Sequence, residues 1–260
     1  MIDAHCHLYS NKYDEDLDAV IHRARKRLSA VIISTVDHES LKKSLALRQK
    51  HPDFLYVTAG IHPRKTAELS DEKLQKLWVA VERVRRDIVA VGEIGPDFHH
   101  ILDRKQQHRQ LQQLEQALAL AETWHLPLVV HARRAEAFAL EILSPSRVPV
   151  MFHCFAGSGE VARKISDKGF FISFSAMLLF NSELQEVATK MPAELILTET
   201  DSPALSPQPG QTRNEPVFVE KVVSCLANLM KCPPQKVAEM TEANARKFFR
   251  LPRPQNKNVY

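Results

Sequence analysis

The sequence predicts a single (β/α)8 TIM barrel with its site at the C-terminal face, and three observations point there. Short β-branched runs alternate with longer segments of helical period, the pattern of repeated βα units. The alternation occurs eight times within 260 residues, and a barrel typically needs about 250. No Gly-x-Gly-x-x-Gly turn follows the first strand, so the competing open doubly wound sheet lacks its nucleotide-binding signature.

Taken in order, strands are expected at 2–6, 30–36, 54–60, 88–93, 127–131, 148–153, 169–174 and 194–199. Helices are expected near 14–28, 39–50, 70–86, 104–124, 134–143, 158–168 and 181–190, with two more near 215–231 and 234–248. In the first helix Leu17, Val20, Ile21, Ala24 and Leu28 form an apolar stripe at helical spacing. The third opens on Ser70, a capping residue, followed by Asp71 and Glu72, which oppose the helix dipole. The fourth carries Leu111, Leu114, Leu118 and Ala121 on one face. The barrel is expected to occupy residues 1–251. The polar, proline-bearing stretch 252–260 reads as a flexible tail.

Composition narrows the class. The chain is 44% hydrophobic and 25% charged, the balance of a soluble globular protein. Its 35 Lys and Arg against 31 Asp and Glu leave a net charge of +4, which permits a phosphate-bearing partner without demanding one. With 7 glycines, glycine-cradled nucleotide sites are scarce. Cys6, Cys154, Cys225 and Cys232 form no C-x-x-C pair, and isolated thiols suggest a reducing compartment. Cys6 and Cys154 neighbour candidate ligands, yet strand alternation points them into the core. No stretch approaches the roughly 20 apolar residues of a membrane span, and a cleaved signal peptide would remove His5 and His7. The expected location is cytoplasmic, with no membrane and no obligate protein partner. The basic run His22–Arg27 reads as the solvated outer face of a helix.

The chemistry-bearing residues fall at strand ends. Asp3-Ala4-His5-Cys6-His7 ends strand 1, Val91-Gly92-Glu93 strand 4 and Val130-His131 strand 5. Phe152-His153-Cys154 ends strand 6, and Glu199-Thr200-Asp201 ends strand 8. In a barrel these ends meet at one mouth, where barrel enzymes keep their sites. His5 and His7, two apart, project from one side of the strand and are placed to chelate one metal together. Four histidines and two carboxylates in such positions suit divalent metal, since buried carboxylates are costly unless paired or metal-bound.

The ordered motifs are D-A-H-C-H at 3–7, G-I-H-P at 60–63, G-E-I-G-P-D-F at 92–98, H-A-R at 131–133, H-C-F-A-G at 153–157, E-T-D-S-P at 199–203 and R-N-E-P at 213–216. In these the chain resembles the TatD-type metal-dependent deoxyribonucleases, a branch of the amidohydrolase-like barrels. The resemblance implies two divalent ions. His5, His7 and Asp201 would hold one, His131 and His153 the other, with Glu93 bridging. Pro96 stands where the family usually has leucine, and Arg134 where it usually has an acid. These departures bear on substrate preference, not on the ligand set.

A metal-bridging hydroxide is then the expected nucleophile, with Asp201 steering it and taking its proton. Mixed nitrogen and oxygen ligands suit Zn2+ or Mn2+ better than Mg2+, although the family is often assayed with Mg2+. Arg133 and Arg213 are candidate phosphate contacts, and His62 a contact for phosphate or leaving group. Glu199 is expected to hydrogen-bond a ligand from behind. The function expected is a phosphodiesterase trimming single-stranded DNA from the 3′ end. The alternatives are a hydrolase of a small amide, lactone or ester on the same centre, and a non-catalytic scaffold. Against DNA stands the supply of only 2 Trp and 4 Tyr for stacking bases.

Overall fold

The computed structural model describes residues 1–208 and 210–252. Its elements run β1 (Ile2–Cys6), α1 (Leu17–Arg25), β2 (Ala30–Ser34), α2 (His38–Lys50), β3 (Leu55–Ala59), α3 (Pro63–Glu68), α4 (Asp71–Arg83) and β4 (Ala90–Ile94). Then follow α5 (Arg104–Trp124), β5 (Leu128–Val130), α6 (Glu136–Leu143), β6 (Val150–Phe152), α7 (Gly159–Asp167) and β7 (Phe171–Phe174). The chain ends with α8 (Ser182–Lys190), β8 (Ile196–Thr198), α9 (Val219–Leu229) and α10 (Pro234–Phe249). All the expected strands are present, each within a few residues of its expected bounds.

The eight strands pair in parallel in sequence order, so this is a (β/α)8 barrel. Apart from half-exposed Tyr56 on β3, every strand residue is buried, because side chains fill the interior and helices cover the outside. Closure between β8 and β1 is made just past the strands. Asp201 N–H donates to the His5 carbonyl at 3.0 Å and His7 N–H to the Ser202 carbonyl at 2.7 Å. Buried Asp3 reinforces this seam by accepting from the Thr200 amide at 2.9 Å and hydroxyl at 2.6 Å.

Helix ends follow local chemistry. Ser70 accepts from the Lys73 amide, as its position predicts, and Asp37 with Ser40 forms a reciprocal cap on α2. Two departures from the expected pattern have physical causes. Helix α3 is absent from the expectation: it is six residues long, too short for an apolar stripe, and is started by Pro63 with the His62 ring accepting from the Arg64 amide. The helix expected at 215–231 is divided into a 3-10 turn at Pro216–Phe218 followed by α9. Of the tail expected at 252–260, all but Pro252 lies outside the described residues. No helix of the described residues is long and apolar enough to cross a membrane.

Strand register slips between Asp3 and Cys6 on β1 and between Val91 and Ile94 on β4. Such irregularities re-aim side chains, and these two bracket His5 and Glu93. Gly92 and Gly95 flank the second. Their φ values are 133° and 144°, and a Cβ would strike the Val129 or His131 carbonyl, so β4 approaches β5 closely only because both are glycine.

Candidate metal centre at the barrel mouth

Glu93 lies at the middle of the cluster, its side chain 3% exposed. Its Oε1 is 3.0 Å from His131 Nδ1, 3.0 Å from His153 Nε2 and 3.5 Å from His62 Nε2. Its Oε2 is 3.3 Å from His5 Nε2 and 3.9 Å from His7 Nε2. Asp201 Oδ1 faces His7 Nε2 at 3.1 Å and His5 Nε2 at 3.8 Å. The six residues expected as ligands are therefore together. Two groupings of these six have metal-ligating spacing, His5, His7 and Asp201 and then His5, Glu93 and His153, and a third, His62, Glu93 and His131, draws in a residue outside the six.

Outer hydrogen bonds set the tautomers. His7 Nδ1–H donates to the Ser34 carbonyl at 2.9 Å, because a carbonyl can only accept, and this leaves the Nε2 lone pair facing inward. His153 Nδ1–H is turned to Glu199 Oε1 at 3.4 Å, leaving its Nε2 toward Glu93. Glu199 is in turn fixed by the Ser173 hydroxyl at 2.5 Å. His131 reverses the ring: Nε2–H is turned to Asp97 Oδ2 at 3.3 Å and Nδ1 faces Glu93. His5 Nδ1 meets the Ser34 hydroxyl at 3.0 Å. His62 differs. Its Nδ1 accepts from the Arg64 amide at 3.2 Å, so its proton sits on Nε2 and the inward atom is a donor.

Inward lone pairs against carboxylate oxygens repel unless a proton or cation lies between them. Two atoms show this most clearly: His5 Nε2 and Glu93 Oε2, both buried, have no hydrogen-bond partner. The donor set thus fits divalent cations.

The electrostatics agree. Burial opposes the Glu93 charge, but the surrounding imidazoles of His153, His62 and His131 outweigh it and hold the carboxyl well below the usual range. Burial likewise opposes the Asp201 charge and is overcome by His7, His5 and His153. For His153 the desolvation that favours neutrality is overcome by Glu93 and Glu199, which raise its pKa well above the ordinary value. Burial and the His153 charge lower that of His5. For His62 burial dominates the pull of Glu93 and pushes the pKa down to about 3, so it is a neutral donor.

A model of the family described as TatD-related DNase matches residues 2–250. The chain belongs to this family. An uncharacterized metal-dependent hydrolase of Bacillus subtilis is 31% identical over 258 residues, covering 96% of this chain and 99% of its own. A TatD relative from Erwinia tasmaniensis, named a 3′-5′ ssDNA/RNA exonuclease, is 32% identical over 96% of this chain and its whole length. The crystal structure of a TatD homologue from Escherichia coli K12 superposes with a TM-score of 0.87 at 30% identity, covering 97% of this chain and 98% of the other.

Residues the sequence reading did not single out lie behind the TatD ligand set. Asp97 accepts from the His99 and His100 amides at 3.1 and 2.9 Å and meets the His100 ring at 2.7 Å, besides holding His131. Its own amide donates to Gln110 of α5, whose side chain also donates to the Pro63 carbonyl. One buried glutamine thus ties the Asp97 loop to the His62 loop. Tyr9 reaches His7 Nδ1 at 3.0 Å.

The two motif arginines diverge. Arg133 is exposed, and among the described residues no carboxylate lies within ion-pair distance of it. Arg213 is bonded to Asp16 at 2.6 and 2.8 Å and to Glu215 at 3.0 Å, with its guanidinium 5.3 Å from the Tyr13 ring centre. These bonds hold Arg213 to its own loop and to the segment before α1, with its side chain 32% exposed. Within the basic run, Arg23, Arg25 and Arg27 pair with Glu215, Asp53 and Glu220. Cys6 is a buried core thiol as expected, but Cys154 is half-buried beside Ser175 and Met177. The two family departures share one place, since the Arg133 amide donates to the Pro96 carbonyl at 3.1 Å and Arg134 follows at φ 55°.

Proposed function

We propose that the chain is a metal-dependent phosphodiesterase that shortens single-stranded DNA from its 3′ end, and that residues 1–251 form the whole catalytic barrel. The observation that carries the reading is the set of ring nitrogens turned inward around Glu93, those of His7, His131 and His153 held from behind, with His5 Nε2 and Glu93 Oε2 unpartnered. His5, His7 and Asp201 would hold one ion, His131 and His153 a second, and Glu93 would lie between. Zn2+, Mn2+ and Mg2+ are the candidates, the first two favoured by the mixed donors. Bound divalent ions would supply Lewis-acid activation of the phosphate and of water near neutral pH.

The protein's own groups have distinct tasks. Asp201, 20% exposed and aligned by His7, stays ionised and accepts the proton of the attacking water. Arg133 binds a non-reacting phosphate oxygen through its free guanidinium. His62, with its proton on Nε2, donates a hydrogen bond to the phosphate or the leaving oxygen. Glu199 and Asp97 keep His153 and His131 oriented. The name of the Erwinia relative, and that of a human deoxyribonuclease 30% identical over 96% of this chain, support the choice of nucleic acid.

The test is metal-reconstituted protein on 3′- and 5′-labelled single-stranded DNA, beside a Glu93→Ala/Asp201→Ala variant. Stepwise 3′ shortening by the wild type alone is expected. No cleavage by folded, metal-loaded protein with any of the three ions would move the reading to a small amide, lactone or ester.

A further inference from the structure

Four large apolar side chains are exposed among the described residues, and three of them (Leu102, Phe138 and Phe180, at 78%, 53% and 68%) lie in segments that follow strands β4, β5 and β7 at the mouth. Phe138 is the one built into a site. It occupies the first turn of α6, with its ring centre 5.3 Å from that of Phe98 and tilted by 57°, so the ring has a packing partner while the residue stays 53% exposed. Phe98 is fastened in turn. Its amide donates to the Arg133 carbonyl at 3.0 Å, and Asp97 forms a bridge with Arg133. The chain of contact from His131 through Asp97 to Phe98 and Phe138 is therefore short and rigid.

Charge accompanies the ring. Arg133 and Arg134 are exposed and have no carboxylate within ion-pair distance among the described residues. Arg23, Arg25, Arg27, Arg109, Arg163 and Arg213 are paired, whereas Arg64, Arg83, Arg85, Arg86, Arg104 and Arg250 are exposed and, like Arg133 and Arg134, make no ion pair among the described residues. It is the place of Arg133 and Arg134 next to the His131 strand end that sets them apart. An exposed aromatic ring, seated on a residue whose backbone is bonded to Arg133 and four residues past unpaired Arg134, matches a ligand with a flat apolar body joined to an anion at short spacing. Nucleotides of a single strand have this form, because their bases are unstacked and every base has a π-face. A duplex does not offer it, because its base faces are already covered.

We propose that Phe138, seated on Phe98, is a stacking platform for a nucleobase near the end being cut, with Arg133 and Arg134 holding the adjoining phosphates, and that this platform selects single strands. The proposal rests on the nuclease reading above. The platform is phenylalanine, a stacking group outside the small supply of Trp and Tyr.

The experiment uses metal-loaded enzyme and two single-stranded oligonucleotides with identical phosphates, one of them abasic over the last few 3′ nucleotides. Wild type is expected to favour the base-bearing strand in kcat/KM by roughly tenfold. In Phe138→Ala that ratio falls toward one, and in Phe138→Tyr it is retained. In Arg134→Ala the slope of log KM against log salt becomes shallower by about 0.7, the value for one lost phosphate contact on a single strand. A wild-type ratio near one, or an unchanged ratio in a folded Phe138→Ala enzyme that still cleaves, overturns the platform and leaves the nuclease reading intact. Absence of cleavage by wild type on every strand overturns the nuclease reading and the platform with it.

Discussion

The loop after β8 and the paired loops after β4 and β5 border the same cluster from different sides. The first is stitched inward. Thr200 is held by Asp3, the Asn214 amide group donates to the Thr200 and Leu205 carbonyls, and Arg213 is bound to Asp16 and Glu215. The second is stitched at its base through Asp97, Pro96 and Arg133, then opens outward into Phe138, Arg133 and Arg134, whose side chains are exposed. One wall fixes ligand positions and the other presents groups to whatever enters. The same residue type stands on both walls, paired with carboxylates on the first at Arg213 and without an ion pair among the described residues on the second at Arg133 and Arg134.

Glu93 joins the two walls, so its loss tests the comparison most severely. Glu93→Gln preserves shape but removes the charge that faces five histidines. Activity is expected to fall by about 10^3-fold, equivalent to several kcal/mol of transition-state stabilisation, and metal content to fall with it. Elemental analysis of the purified variant beside its kcat checks both. Full metal occupancy with activity retained would break the idea that this carboxylate organises the centre.

Asp97→Ala should act on the outward wall alone. Burial opposes the Asp97 charge, yet bonds from His131 and His100 hold its carboxyl far below the usual range, so it stays ionised wherever the enzyme is folded. Removing it frees the His131 ring, and a loss of about 10–100-fold in metal affinity is expected. Titration of apo protein with Mn2+ measures it. An unchanged affinity would mean that β5 geometry alone aims His131.

How much of this was legible in the sequence follows from what each residue depends on. The strand ends were legible because β-branched runs and a final His, Glu or Asp are local, and barrel topology brings such ends together without further information. Helix α5 was placed well because its stripe repeats over 21 residues. Helix α3 has six residues and no repeat to detect. Asp97 stands inside a quoted motif, yet its role depends on His131, 34 residues on, and so stayed hidden. A still longer separation in sequence concealed the pairing of Arg213, whose carboxylate partner Asp16 is 197 residues away. Motif membership identified both arginines; only packing separates them.

That separation gives the third prediction. Arg133→Ala should raise KM for a single-stranded oligonucleotide by about tenfold, the scale of one charge-assisted contact, and leave Tm where it was. Arg213→Ala should do the reverse, lowering Tm by about 2–4 °C, the scale of one modest ion-pair network in a chain of this size, with little change in KM. Thermal melts and initial rates on both variants decide it. A KM effect confined to Arg213→Ala would invert the comparison between the two loops.

The smallest effect concerns Asp3, at the base of the inward wall. Burial and the charge of Glu199 raise its pKa well above the ordinary value, despite the bonds from Thr200. A carboxyl whose pKa is raised on folding contributes its full stability below its unfolded value of about 3.9. That contribution is lost as pH rises toward the folded value. Asp3→Asn keeps the shape and an acceptor for the Thr200 amide but cannot ionise. Measured in chelator, wild type should therefore melt at or above the variant in acid, and lose ground to it as pH rises, by about 2–4 °C. The difference should level off once the folded carboxyl has ionised. A gap that stays constant from acid to neutral pH would show that the seam holds Asp3 charged throughout, with the Thr200 bonds outweighing its burial.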